Sequence, residues 1–155
     1  MDKVWLGFAM DDIRVEAIGL VHNEICEINL VDWSDVISTI EFEIKFKDFL
    51  LHLDEYSHVI VIGWLHLIPS ELRSRSQAYP NGDDELPLQG SLALRGGARP
   101  NPISMTVCQL IDLQENILIL KGLDLVDGTP VLDIKPYIPF YDSELNAYLP
   151  SWTGG

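Results

Sequence analysis

Between Ile37 and Phe46 the chain alternates, with Ile40, Phe42, Ile44 and Phe46 on one side and Glu41, Glu43 and Lys45 on the other. A period of two sends successive side chains to opposite faces, so this stretch predicts a half-buried strand. Val59 to Leu67 (VIVIGWLHL) is instead almost continuously apolar and β-branched, which predicts a strand covered on both sides. Two more apolar runs, Ile103 to Leu113 and Ile117 to Leu125, are split by Gln114-Glu115-Asn116 and predict a hairpin. Val15 to Val21 predicts a first strand interrupted near its end by Gly19, and Ser91 to Leu94 a short one. Asp48 to Tyr56 sets Phe49, Leu50 and Leu53 at helical spacing behind Asp48 as a cap, which predicts one short helix.

The intervening stretches carry no period. Met1 to Arg14 reads as a strand or a loose end, and His22 to Asp35 as a long acidic loop. Ile68 to Pro87 is a long connection with three prolines and the Asn81-Gly82-Asp83-Asp84-Glu85 cluster, a length that is usually functional or mobile. The tail beyond Tyr137, with Pro139, Pro150 and Trp152, predicts an irregular arm around the body. Six or seven strands, little helix and connections too short for βαβ crossovers point to a mainly β fold. The expected architecture is a small closed antiparallel β-barrel with long loops and one short helix, since closure removes exposed edges. At 155 residues the whole chain reads as a single domain.

Two polar, proline-punctuated stretches flank the hairpin: Arg95 to Ile103 and Asp124 to Tyr137. Pro100 and Pro102 fix their own φ angles and push Arg99 and Asn101 toward extended backbone, so both are presented from a stiff loop. Arg95 and Arg99 offer planar forks for a carboxylate or phosphate, and Asn101 both donor and acceptor. The alternative is that each arginine pairs with one of the many surface carboxylates. Asp124, Asp127 and Asp133 suit ribose hydroxyls or a cationic ligand, whereas Asp127-Gly128 equally suits a capped turn. Lys135 before Pro136 predicts an extended loop presenting its amine. His66 reads either as a base or ligand contact or as a satisfied, half-buried histidine. Trp64 and Trp152 read either as core or as an aromatic wall for a flat ligand.

A formal charge of -14 opposes non-specific attraction to phosphate backbones. Its distribution qualifies that conclusion, because Arg73, Arg75, Arg95 and Arg99, four of the five arginines, lie in one third of the chain. No apolar run reaches the roughly 18 residues of a membrane span, so no membrane partner and a cytoplasmic location are expected. Cys26 and Cys108 lack metal or redox spacing and read as buried, reduced thiols; the four histidines are too scattered for a zinc site, and no metal is expected. G-x-G-x-x-G, the P-loop, G-x-S-x-G and H-E-x-x-H are all absent, which removes the usual motif support for Rossmann, phosphate-loop, triad and zinc chemistry.

At the two special stretches the chain resembles the TsaA family, also called the TrmO or YaeB-like family. Leu92-Ala93-Leu94-Arg95-Gly96-Gly97-Ala98-Arg99-Pro100-Asn101-Pro102-Ile103-Ser104 follows its R-S-P-x-R-P-N-P-I pattern, and Gly122-Leu123-Asp124 through Tyr137 follows G-L-D-L-x-D-G-T-P-V-x-D-I-K-P-Y nearly throughout. Ile18-Gly19-Leu20-Val21 and Leu53-Asp54-Glu55-Tyr56-Ser57-His58-Val59 match upstream segments. The resemblance implies a β-barrel that binds S-adenosyl-L-methionine without a Rossmann fold, usually as a homodimer with the ligand near the subunit contact. The implied activity is N6-methylation of threonylcarbamoyl-adenosine beside the anticodon of tRNA. Carried across position by position, Leu67, Arg95, Arg99, Asn101, Pro102, Ile103, Ser104, Met105, Asp127, Gly128, Thr129, Pro130, Ile134, Lys135 and Pro136 line the cofactor site. His66, Asp133 and Tyr137 are the candidate catalytic bases. Leu94, Gly96 and Gly97 depart from the first motif, glycine there admitting more backbone states, and the family's P-R-Q element has no counterpart between His22 and Ser38. These departures keep open an S-adenosylmethionine-binding regulatory or interaction module, or a methyltransferase acting on a small molecule or protein.

Overall fold

The structure, a computed structural model, describes residues 4–5, 8–9, 13–27 and 31–153. Its ten strands are β1 (Val4–Trp5), β2 (Phe8–Ala9), β3 (Gly19–His22), β4 (Ile37–Phe42), β5 (His58–Trp64), β6 (Gln77–Ala78), β7 (Gln89–Gly90), β8 (Ile103–Gln114), β9 (Ile117–Lys121) and β10 (Pro130–Pro136). Six of them close a barrel in the order β10-β3-β4-β9-β8-β5, every neighbouring pair antiparallel. The pairs β1–β2 and β6–β7 lie outside it.

Alternation builds the interior. Along β4, Ser38, Ile40 and Phe42 point inward, and Val21, Val59, Val61, Cys108, Leu110, Leu118, Leu120 and Val131 meet them from the other five strands. Each fully buried aliphatic side chain contributes about 1.5–3 kcal/mol relative to exposure. Gly19 is demanded by packing, because a Cβ there would stand 2.7 Å from the Glu41 carbonyl oxygen on β4. The β8–β9 hairpin turns at Glu115, whose φ is 57°, and Asn116. Asn116 then ties the turn to the end of β4, its Nδ2 donating to the Phe42 carbonyl at 2.7 Å.

The expected barrel is present, while several element limits differ. Alternation continues past Phe42, but β3 begins at Gly19, which is the partner of Phe42, so no strand remains to pair with. The chain coils instead into a 3-10 helix, Ile44–Leu50, and Ile44 is 69% exposed. The α-helix expected from Asp48 is absent for a related reason: His52 at φ 65° breaks the segment before a second 3-10 turn, Leu53–Glu55. Two four-residue α-helices form elsewhere, α1 (Ser70–Arg73) and α2 (Pro139–Asp142). Ser91–Ala93 is a 3-10 turn rather than a strand, the pairing lying just before it in β7. β5 stops at Trp64, opposite the first residue of β8, so His66 and Leu67 sit in the turn beyond.

The largest change concerns the second special stretch. From Pro130 onward it is not a loop but the strand β10, with Pro130 and Pro136 at its two ends, where a missing N–H is tolerated. Met1–Arg14 and the His22–Asp35 loop fall partly outside the described residues. Among those described, no helix is long and apolar enough to cross a membrane.

Leu118, fully buried on β9, is expected to cost about 2–5 kcal/mol when changed to Ala. Gly19→Ala is expected to destabilise as well, by forcing β3 away from β4. Urea denaturation followed by tryptophan fluorescence checks both; an unchanged midpoint for Gly19→Ala would contradict the close approach.

Candidate functional site

One end of the barrel gathers the first special loop and the start of the second. Trp64 pairs with Ile103, Gly63 with Val131, and the Leu65 N–H donates to the Pro102 carbonyl at 2.8 Å. Residues 65–68 are therefore held between the two. A Cβ on Gly97 would stand 2.6 Å from Ile68 Cδ1, so the loop packs closely on the Ile68 side chain here. On the other side a Cβ on Gly128 would lie 3.9 Å from His66 Nε2. Between them is a crevice of about 30 Å³, lined by His66, Leu67, Asp124 and Thr129 among others, with room for one water-sized group. His66 Nδ1 is buried there without a hydrogen-bond partner, which leaves its polarity available to a ligand.

The turn before β10 is anchored from β3 and the residues after it. Gly128, at φ 74°, donates its N–H to the Val21 carbonyl at 2.8 Å, and Asp127 N–H donates to the Ile25 carbonyl at 2.7 Å. Asp127 Oδ1 accepts the Asn23 N–H at 3.2 Å, so its carboxylate ties the turn to the segment after β3 rather than capping the turn itself, and His22 Nδ1 stands 3.6 Å away. Thr129 is buried and donates its hydroxyl to the Val126 carbonyl at 2.7 Å. Asn23 contributes most: its Nδ2 donates to Ser38 Oγ and to the Leu125 carbonyl, both at 2.9 Å, while its Oδ1 accepts the Ile25 N–H. Sequence reasoning missed Asn23 because its partners stand 15 and 102 residues away; only the short asparagine turn to Ile25 leaves a local signal.

The arginines do not pair with carboxylates. Arg95 Nη2 donates to the Met105 carbonyl at 2.6 Å, and Arg99 Nη2 to the carbonyls of Leu94 at 2.7 Å and Ser91 at 3.4 Å. Arg99 thus holds its own loop in shape. Arg95 remains exposed and adjoins the outward-facing Ile103 and Met105. Ser104 faces the strand seam, accepting the Gly63 N–H at 3.2 Å; Pro102 is buried and Asn101 exposed. Thr106 donates to Asp124. The opposite side of the first loop closes a cavity of about 640 Å³ with Tyr79 and Trp152, so Trp152 is a wall residue; Trp64 lies under Arg73, whose guanidinium carbon is 5.3 Å from the ring centroid.

The other predicted residues are carried off by β10. Asp133 pairs with Ile62, Pro136 with Val59, and Tyr137 N–H donates to the His58 carbonyl at 3.0 Å. Seven residues at about 3.3 Å each put Tyr137 roughly 20 Å from Pro130. Lys135 does not reach out as a free amine: its Nζ lies 2.7 Å from Asp133 Oδ2, and that hydrogen bond raises the lysine pKa. Asp133, Ile134 and Pro136 instead line an apolar cleft of about 560 Å³ with Phe46, Leu50 and Tyr56. Within one chain His66 therefore does not share a reaction centre with Tyr137. His66, Leu67, Arg95, Met105 and Asp127 to Pro130 do belong to one end.

The family model of the tRNA-methyltransferase O N-terminal domain matches residues 14–143. The chain belongs to that family. Within it, a probable S-adenosyl-L-methionine-binding protein of Pyrococcus abyssi is 34% identical over 137 residues, which cover 83% of this chain and 70% of the relative. A mouse tRNA (adenine(37)-N6)-methyltransferase is 38% identical over 100 residues, covering 63% of this chain and 22% of the mouse protein. A crystal structure of TrmO from Pseudomonas aeruginosa superposes with a TM-score of 0.69 at 29% identity, over 88% of this chain and 60% of that one. This TrmO-family chain thus spans about three fifths of the bacterial structure's length. The family's barrel, expected from the motifs, is the one observed.

Asn23→Ala is expected to lower stability by about 1–3 kcal/mol, since it leaves buried carbonyl and hydroxyl partners unmet. Urea titration measures it. Burial, with a smaller contribution from the Asp124 charge, pushes the Cys108 thiol up from 9.0 to about 12. A maleimide at pH 8 should therefore modify exposed Cys26 alone. Because the unfolded chain releases the Cys108 proton first, this group also makes stability fall as pH rises from about 9 toward 12. Mass spectrometry showing label on Cys108 in the native protein would contradict the buried position.

Proposed function

We propose that this chain is an S-adenosyl-L-methionine-dependent methyltransferase that modifies N6 of an adenosine in tRNA, threonylcarbamoyl-adenosine beside the anticodon. The observation that carries the reading is the meeting of both family motifs at residues 65–68. There the buried, unpartnered Nδ1 of His66 belongs to a ring beside the anchored Asp127-Gly128-Thr129-Pro130 turn, and the exposed Arg95 fork stands on the first loop, tied to the Met105 carbonyl. A cationic fork and backbone polar groups suit the carboxylate and ribose of the cofactor, and outward Ile103 and Met105 suit its apolar parts. S-adenosyl-L-methionine supplies an electrophilic methyl on a sulfonium when bound there.

The protein's part is positioning and proton handling. Thr129, Gly128 and Asp127 are hydrogen-bonded to fixed neighbours, so the turn presents its groups without reorganising, and such positioning supplies several kcal/mol of barrier reduction. His66 Nδ1 is the group placed to accept the amine proton. Tyr137, roughly 20 Å along β10 from Pro130, serves the same centre only from a second subunit, while Asp133, about 10 Å along it, is held in its ion pair with Lys135. A homodimer belongs to this reading, supported by the outward apolar row Ile103, Met105 and Val107 on β8, exposed by 39%, 49% and 45%. So do a single domain over residues 1–155 and work in the cytoplasm. A second reading, an S-adenosylmethionine-binding module without transfer, draws on the charge of -14 and on the name of the Pyrococcus relative.

Calorimetric titration with S-adenosyl-L-methionine should give one site per chain, weakened about 10- to 150-fold by Arg95→Ala, the range of a lost charged hydrogen bond. Methyl transfer from labelled cofactor to tRNA should fall in His66→Gln with cofactor affinity kept. Binding without transfer to any tRNA would favour the module; no binding by folded protein would reject both.

A further inference from the structure

The ion pairs formed between described residues use lysine or histidine: Lys45 with Glu16 and Glu43, Lys121 with Asp35, Lys135 with Asp133, and His22 and His52 with nearby carboxylates. Arg73, Arg75, Arg95 and Arg99 have no described carboxylate within 4.0 Å, although acidic residues outnumber basic ones by 24 to 10. Arg99 is spent on backbone carbonyls, and Arg73 lies on the face of Trp64 with its Nε buried and unpartnered. Arg75 is exposed, and Arg95 has one nitrogen on a carbonyl and the rest of its fork in solvent.

Of these cations Arg95 lines the 640 Å³ cavity. Arg95 and the two residues after it form one wall, and the aromatic rings of Tyr79 and Trp152 line others. Arg75 stands next to Ser76, whose carbonyl accepts the N–H of Ser91, another wall residue, at 2.9 Å. Gly96 leaves the floor open, with no atom within 4 Å of where its Cβ would be. The volume falls in the range of small-ligand sites and admits a nucleobase with its sugar. Aromatic side chains that accept base stacking, bordered by arginines kept free of carboxylates, are the combination that binds single-stranded nucleic acid. The acidic Asp83-Asp84-Glu85 run follows Asn81 on the Tyr79 segment, so phosphates are admitted on the arginine side.

We infer that the cavity between Tyr79, Trp152 and the Arg95–Ala98 loop receives a splayed base of single-stranded RNA, with the exposed Arg75 on the adjoining segment meeting a flanking phosphate and Arg95 left to the cofactor. This rests on the tRNA methyltransferase reading and adds to it the place where the acceptor strand docks, beside the cofactor end and sharing the first loop as a common wall. Sequence reasoning named Trp152 as a candidate wall but gave Tyr79 no role, since a lone tyrosine before Pro80 carries no motif.

The test uses the full chain with an unmodified tRNA anticodon stem-loop RNA and, separately, with S-adenosyl-L-methionine. Trp152→Ala should weaken RNA binding roughly 5- to 150-fold, the range of one lost base–aromatic stack, and leave the cofactor isotherm unchanged. Arg75→Ala should lower the slope of log affinity against log salt by about 0.7, one single-strand phosphate contact. Both residues are outside the barrel core, and Tyr79→Ala serves as an independent second ring deletion. RNA affinity unchanged in Trp152→Ala and Tyr79→Ala, no RNA binding by the parent chain, or loss of cofactor rather than RNA affinity in Trp152→Ala would each overturn the inference. RNA binding that depends on Trp152 in a chain that binds no cofactor would uphold the pocket and reject the methyltransferase reading.

Discussion

The closing contact of the barrel is β10, which hydrogen-bonds to β3 on one side and β5 on the other. Without it both partners would be open edges, each a row of unpaired backbone groups. The same strand also organises function. Its first residue follows the Asp127-Gly128-Thr129 turn, so closing the barrel sets that turn against the end of β5 and the start of β8. Proline at each end of the strand is the backbone device that allows the sheet to close and yet release the chain at a defined point. Fold and site therefore share one constraint.

Stiffness at the site comes from saturation of backbone groups. Asn23 spends its amide on Ser38, Leu125 and Ile25, and Arg99 spends its guanidinium on Leu94 and Ser91. Two polar side chains of the kind usually suspected of ligand contact thus act as internal struts. What they leave uncommitted is a small set of groups, the buried His66 Nδ1 and the exposed Arg95 fork foremost. Gly97 and Gly19 complete the picture from the packing side, each sitting where one more carbon would collide with a neighbour.

Electrostatics works by sorting rather than by sum. Lys45, Lys121 and Lys135 meet carboxylates, whereas the arginines between residues 73 and 99 meet carbonyls, an indole face or solvent. A body of charge -14 therefore keeps one region able to attract anions. Acidic surroundings also sharpen that region, since phosphate is repelled from most other approaches.

Local pattern was enough for the strands whose apolar period is set by the interior they face. Ile40 and Phe42, the β5 run and the Glu115-Asn116 hairpin were legible because each property belongs to adjacent residues. The family was legible for a similar reason, as two compact motifs carry it. Tertiary structure alone decided where the elements stop. Phe42 ends β4 because its partner Gly19 is the first residue of β3, beyond which one bond from Glu43 N–H to the Ile18 carbonyl remains before the chain coils, and Pro130 begins a strand because the edges of β3 and β5 stand there to receive it. It alone decided which candidates meet: the Asp124–Tyr137 motif is continuous in sequence, yet an extended strand at about 3.3 Å per residue carries its two halves to opposite ends of the barrel. Likewise Arg95, Tyr79 and Trp152 come together only through the pairing of β6 with β7 and the return of the tail, contacts whose partners lie too far apart in sequence for any local period to record.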